Sequence, residues 1–126
     1  MIKPDGLARG LVGEVVGRLE RKGLRLEKMR LLTITEELAR RHYAEHVDKG
    51  FFPELLAFIT SGPVVAMEWS GPGAIAVVRG LMGATDPQKA EPGTIRGDFG
   101  LEVTKNIVHG SDGPTSAARE LALFFD

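Results

Sequence analysis

Apolar positions along the chain change their spacing several times, and each change marks an element. Leu11, Val12, Val15, Val16 and Leu19 recur three or four residues apart, which predicts a helix closed by Lys22-Gly23. Leu24 to Ile34 alternates and then becomes more continuously apolar, a strand pattern. Thr35 is placed to cap a following helix, with Glu36 and Glu37 in its first turn, reaching about Val47. Pro53 to Thr60 predicts a short helix ended by Ser61-Gly62-Pro63, and Val64 to Trp69 a buried strand. Pro72 to Met82 carries Ile75, Val78 and Met82 on one face, again a helix. Ile107-Val108-His109 is a short strand, and Thr115 to Phe125 a final helix.

Two stretches break the alternation. Met1 to Lys3 reads as the end of a strand stopped by the turn Pro4-Asp5-Gly6. Because strands usually run to about five or six residues, residues upstream of Met1 are expected. Gly83 to Asp98 is polar and rich in Pro and Gly, a loop long enough in a compact domain to expect function from it. The element order predicts one α+β domain over residues 1–126: a ferredoxin-like sandwich, with a four-stranded antiparallel sheet and helices on one face.

Composition narrows the function. A net charge of −1 and a sequence pI near 6.3 give no electrostatic footprint for a dedicated nucleic-acid binder. The chain has no cysteine, which removes disulfides and thiolate nucleophiles. No apolar run is long enough to span a bilayer, and the first residues do not form a signal peptide, so a cytoplasmic location is expected. No G-x-x-x-x-G-K-[ST] exists, which excludes a P-loop kinase.

Several short motifs compete. Gly71-Pro72-Gly73-Ala74-Ile75-Ala76 matches a dinucleotide fingerprint, but no parallel strand with an acidic residue follows it. Asp98-Phe99-Gly100 lacks the longer chain and H-R-D loop of a protein kinase. His42-Tyr43-Ala44-Glu45-His46 fits H-x-x-E-H, so a zinc hydrolase using His42 and His46 is a rival reading. It needs a third ligand and a general base that no recognisable second half supplies.

The chemistry concentrates at Asn106-Ile107-Val108-His109-Gly110-Ser111-Asp112. Gly110 lets a ligand approach His109, and strand alternation would send Ser111 to the side of His109. Thr85, Lys89, Thr94, Arg96 and Asn106, with Arg79 upstream, gather hydrogen-bond donors and positive charge. Phosphoryl transfer asks a protein mainly for positioning and charge stabilisation, and a histidine is a nucleophile near neutral pH.

The segments Ile2-Lys3-Pro4-Asp5-Gly6, Arg9-Gly10-Leu11-Val12-Gly13-Glu14, Ser61-Gly62-Pro63-Val64-Val65-Ala66-Met67, Pro92-Gly93-Thr94-Ile95-Arg96-Gly97-Asp98-Phe99 and Asn106 to Asp112 resemble, in their order, the motifs of nucleoside diphosphate kinases. The resemblance implies a ping-pong kinase in which His109 carries the phosphoryl group. It implies that Lys3 contacts the terminal phosphate and the ribose, Asn106 the sugar hydroxyl, and Arg79, Thr85 and Arg96 the phosphates. It further implies Phe51 stacked on the base with Val103 opposite, Tyr43 packed beside His109, and Ser111 and Glu120 orienting it. His46 is expected near phosphate. Mg²⁺ is expected as cofactor through the nucleotide phosphates, with no protein metal cage. Expected partners are nucleoside tri- and diphosphates and copies of the chain itself, in a hexamer or alternatively a tetramer, with neither nucleic acid nor membrane. Gly50 stands where that family usually has proline, which is expected to loosen the segment before Phe51. A family member kept only as a binding or scaffold protein is a third reading, which intact His109 argues against.

Overall fold

The computed structural model describes residues 1–125. In chain order its elements are α1 (Pro4–Ala8), α2 (Val12–Lys22), β1 (Arg25–Thr33), α3 (Glu36–His42), α4 (Phe52–Ile59), β2 (Pro63–Ser70), α5 (Ala74–Met82), α6 (Ile95–Phe99) and α7 (Pro114–Phe125). Local chemistry accounts for the boundaries. Gly23 ends α2 in the left-handed region at φ 108°, a conformation that costs glycine little. Thr35 caps α3, its hydroxyl oxygen accepting from the Leu38 N–H at 3.1 Å. That helix stops at His42, and the expected run to Val47 continues instead as a 3₁₀ turn over Ala44–His46. Pro4-Asp5-Gly6 belongs to the short helix α1, with Pro at its first position, where the missing N–H costs nothing.

The sheet has two strands rather than the four expected among the described residues. β1 and β2 pair antiparallel from Arg25↔Ser70 to Thr33↔Pro63. The other two segments each contribute one bridge residue: Ile2 pairs with Val65 on one side and Val108 on the other. Pro4 starts α1 and ends the first segment after Lys3. On the other side Ile107 sits at φ 74°, which breaks the extended path so that Val108 alone pairs.

Helices cover both faces of this sheet, not one. Val65 joins Ile2, Val15, Leu19, Met82, Ile95 and Val108 in one cluster beneath α2 and α5. Its neighbours Val64 and Ala66 point the other way, into Tyr43, Phe52, Ile59 and Phe124 of α3, α4 and α7. This explains why β2 reads as an unbroken apolar run: it is buried on both sides.

The segment from Gly83 to Asp98 is more ordered than its composition suggests. Asp86 caps a 3₁₀ turn at Pro87–Lys89, and Thr94 caps α6 by accepting from Gly97 N–H at 2.9 Å. Gly97 is required there, because a Cβ would lie 1.9 Å from the Glu91 carbonyl oxygen. Arg18 of α2 reaches across to Asp98 at 2.7 Å and to the Gly93 carbonyl at 3.0 Å. No helix among the described residues is long and apolar enough to cross a membrane.

Candidate active site

The site is built on a strained turn. The Val108 N–H donates to the Asn106 carbonyl at 2.8 Å across Ile107, whose φ is 74°. This is the rare positive-φ γ-turn, here on a β-branched residue. Such strain persists only where the surroundings over-determine it, and they do. Asp5 Oδ2 accepts from the Ile107 N–H at 3.0 Å, and the Lys3 N–H donates to the Ile107 carbonyl at 2.7 Å. Arg96 donates through Nε to the Asn106 carbonyl at 3.2 Å and through Nη2 to the Val108 carbonyl at 2.7 Å. The clamped turn delivers Asn106 and His109 to one polar cleft of about 310 Å³.

That cleft brings together Lys3, Tyr43, His46, Arg79, Thr85, Arg96, Asn106, His109 and Glu120, which lie on separate elements. Lys3 Nζ donates to Asn106 Oδ1 at 2.8 Å, and Asn106 Nδ2 donates to the Thr85 carbonyl at 3.0 Å. Burial, then the nearby Arg96 charge, brings the Lys3 ammonium down to about 8. Burial and Arg79 likewise bring Arg96 down to about 10. Bringing like charges together in a partly dry cleft is costly unless an anion joins them.

His109 Nε2 is hydrogen-bonded to Glu120 Oε1, which leaves Nδ1 as the ring nitrogen without a partner among the described residues. Burial holds the His109 imidazole below its ordinary value, against the opposing pull of Glu120. Burial pushes the Glu120 carboxyl up, but its bond to His109 and the charges around it outweigh this and leave it low. The arrangement keeps His109 neutral, with its tautomer set by the carboxylate.

Some expected members fall elsewhere. Ser111 makes no hydrogen bond to His109 and lines an adjoining apolar cavity of about 140 Å³, which shares His109 and Glu120 with the cleft. Residues 109–111 are not in a strand, so alternation does not govern them. Tyr43 lines the cleft, and the ring that packs on His109 is His42, at 4.8 Å between centroids, with Tyr43 against His42 in turn at 4.5 Å. Thr94 spends its hydroxyl on the cap and the Glu91 carbonyl, and neither it nor Lys89 lines the cleft. Phe51 and Val103 are half exposed outside it, Phe51 beside His46 at 5.5 Å.

The family model for nucleoside diphosphate kinase matches residues 1–126. The chain belongs to the nucleoside diphosphate kinase family. It is 63% identical over 125 residues to the nucleoside diphosphate kinase of Archaeoglobus fulgidus, covering 99% of this chain and 83% of that one. The corresponding protein of Symbiobacterium thermophilum is 60% identical with the same coverage. A solved structure of a halophilic nucleoside diphosphate kinase from Halobacterium salinarum, in complex with CDP, superposes with a TM-score of 0.96 at 57% identity, covering 99% of this chain and 84% of that one.

For a nucleoside diphosphate kinase the polar cleft, not the apolar cavity, has the charge to hold phosphates. Sequence reading missed Asp112, Ser116 and Arg119, which also line it. The Ser116 hydroxyl donates to Asp112 across the first turn of α7, a local Asp-x-x-x-Ser signal legible in hindsight. Arg119 caps the C-terminal end of α3 through the Arg41 and His42 carbonyls, a contact that only tertiary structure reveals.

Proposed function

We propose that this chain transfers the terminal phosphoryl group of a nucleoside triphosphate to a nucleoside diphosphate, by way of a phosphohistidine on Nδ1 of His109. The observation that carries the reading is the Glu120–Nε2 bond, which leaves Nδ1 the free nitrogen of a ring that lines a cleft rich in positive charge. In the first half-reaction Nδ1 attacks the terminal phosphorus, the phosphorus–oxygen bond to the leaving diphosphate breaks, and Nε2–H stays on Glu120. An acceptor diphosphate reverses these events. Lys3, Arg79, Thr85 and Arg96 hold phosphate oxygens and Asn106 a sugar hydroxyl. Phe51, with Val103 opposite, stacks on the base, a contact that tolerates any base because each has a π-face. Tyr43 walls the cleft.

Mg²⁺ fits this site as a passenger of the nucleotide. The one close group of histidine and carboxylate ligands among the described residues is His42, His109 and Glu120, too nitrogen-rich for an ion that demands octahedral oxygen ligands. When bound with the nucleotide, Mg²⁺ supplies neutralisation of phosphate charge. The reading is tested by incubating the chain with Mg·ATP. One acid-labile, alkali-stable phosphoryl group per chain, discharged by an added diphosphate, is expected; no uptake overturns it.

The geometry also predicts a pH profile. Protonation of His109 removes its nucleophile, and its depressed pKa moves that loss below the ordinary 6.5. Lys3 is charged below about 8 in the free chain and loses its hold on phosphate above it. A bell-shaped kcat/KM is therefore expected, with its acid limb below 6.5 and its alkaline limb near 8. The same Lys3 shift makes folding stability rise with pH between about 8 and 10.5, where the unfolded chain binds more protons. An alkaline limb near 10.5, the ordinary lysine value, would show that burial does not depress Lys3 in the free chain.

The finer architecture belongs to the same reading. The order β1–β2–Ile2–Val108 supports a ferredoxin-like sheet whose two inner-to-outer members are reduced to single bridges. The free edge of β1 exposes Met29 and Leu31, the latter at 66%, an arrangement proteins usually cover. It supports a closed homo-oligomer, a hexamer or alternatively a tetramer. Light scattering is expected to report that assembly at micromolar concentration, and a stable active monomer would contradict it.

A further inference from the structure

His42 is a buried histidine for which the phosphoryl-transfer reading has no use. Its side chain is 1% exposed, and both ring nitrogens lack hydrogen-bond partners. Burying an unpaired polar group costs on the order of 1–3 kcal/mol, and His42 leaves two such atoms where its cleft neighbours Tyr43 and His46 leave one each. Nδ1 of His42 points at Glu120 Oε1 from 4.0 Å. With Nε2 of His109 on the same carboxylate, three ligand atoms lie within 4.8 Å of one another. Two imidazoles and one carboxylate are the donor set of a zinc site that keeps an open fourth position.

We propose that His42, His109 and Glu120 form a binding site for a borderline-soft divalent ion such as Zn²⁺, and that occupancy switches the phosphoryl carrier off. Ligand bonds of about 2.0–2.2 Å in tetrahedral geometry require donor atoms roughly 3.4 Å apart. The His42–Glu120 gap closes by well under an ångström to reach this and the widest gap in the set, up to 4.8 Å, by about 1.4 Å, while the His109–Glu120 contact opens. Mg²⁺ is not a competitor, since it prefers oxygen ligands in an octahedron. Arg119, the nearest cation on α7, has its guanidinium turned onto the Arg41 and His42 carbonyls.

The switch is a change of tautomer. In the metal-free chain the imidazole proton sits on Nε2, against Glu120, and the Nδ1 lone pair is free. A metal taking the Nε2 lone pair sends that proton to Nδ1, which then cannot attack phosphorus. Conversely, a ring with a phosphoryl group on Nδ1 holds its proton on Nε2, and a metal binds there only by displacing that proton. Metal on Nε2 therefore blocks attack by Nδ1, and a phosphoryl group on Nδ1 weakens metal binding without sharing its nitrogen.

The metal set stands on geometry alone, whereas this antagonism rests on the reading of His109 as phosphoryl carrier. Cobalt(II) added to the purified chain is expected to bind one per chain with the intense visible bands of a tetrahedral ion, and Zn²⁺ to displace it. His42→Gln, checked for folding by circular dichroism, is expected to weaken binding at least about 100-fold. His46→Gln should leave it unchanged, separating this site from the H-x-x-E-H pattern. X-ray absorption of the zinc-loaded unmodified chain should show two imidazoles, which keeps the test independent of any variant. Absence of binding, a single imidazole, or binding that survives His42→Gln in a folded protein overturns the site. Zinc-loaded chain, freed of excess metal and given Mg·ATP, is expected to take up no phosphoryl group until EDTA is added. Full labelling with zinc still bound overturns the switch, and failure of metal-free chain to label at all overturns the kinase reading instead.

Discussion

Replacement of His109 by alanine is expected to abolish phosphoryl uptake from Mg·ATP and to lower turnover by about six orders of magnitude, as loss of a nucleophile does in a hydrolase. The reason is the division of labour on the ring. Nε2 is committed to Glu120, so one nitrogen is left for phosphorus, and the chain has no cysteine to substitute. His42→Gln is expected to keep the label. That ring is 1% exposed against 28% for His109, and a donor phosphate in the cleft cannot reach it. Quantifying acid-labile, alkali-stable phosphate per chain decides between them. Label that persists in His109→Ala refutes the mechanism, and label lost only in His42→Gln moves the carrier to the wrong histidine.

Arg96→Ala is expected to cost stability before it costs phosphate binding. The guanidinium is 5% exposed and spans three carbonyls: Asn106 at 3.2 Å, Gly83 at 3.0 Å and Val108 at 2.7 Å. It thereby ties the start of the Gly83–Asp98 segment to the γ-turn that carries His109. Without it the Gly83 and Val108 carbonyls lose a charge-assisted donor, at about 1–3 kcal/mol each. The strained Ile107 also loses one of its restraints. A fall in Tm on the order of 10 °C is expected for the nucleotide-free chain. Arg96→Lys should recover little of it, because one ammonium cannot reach three carbonyls held apart by a planar fork. Melting curves of the free protein check this. A variant that melts with the parent but binds nucleotide poorly would make Arg96 a phosphate ligand alone.

Local sequence determined the elements whose signals are themselves local. The 3.6-residue spacing from Leu11 to Leu19, the Gly23 stop, the Thr35 cap and the apolar run at Val64–Met67 all reappear as α2, the start of α3 and β2. Donor and nucleophile chemistry likewise pointed to Arg79, Thr85, Arg96, Asn106 and His109, the family resemblance added Lys3 and Glu120, and the fold gathers all of them at one cleft. Where the reading relied on strand alternation it failed. Ser111 follows a γ-turn rather than a strand, and the turn depends on Asp5, Lys3 and Arg96, which lie far from it along the chain. The same remote restraints hold Ile107 at φ 74° and leave Val108 a single bridge, while the local Pro4 cuts short the segment at Ile2. The packing of His42 on His109, and its approach to Glu120, were decided by tertiary structure too. Periodicity and caps act within about one turn of chain, so they can be read from sequence. A strained backbone and a shared carboxylate exist only once distant segments meet.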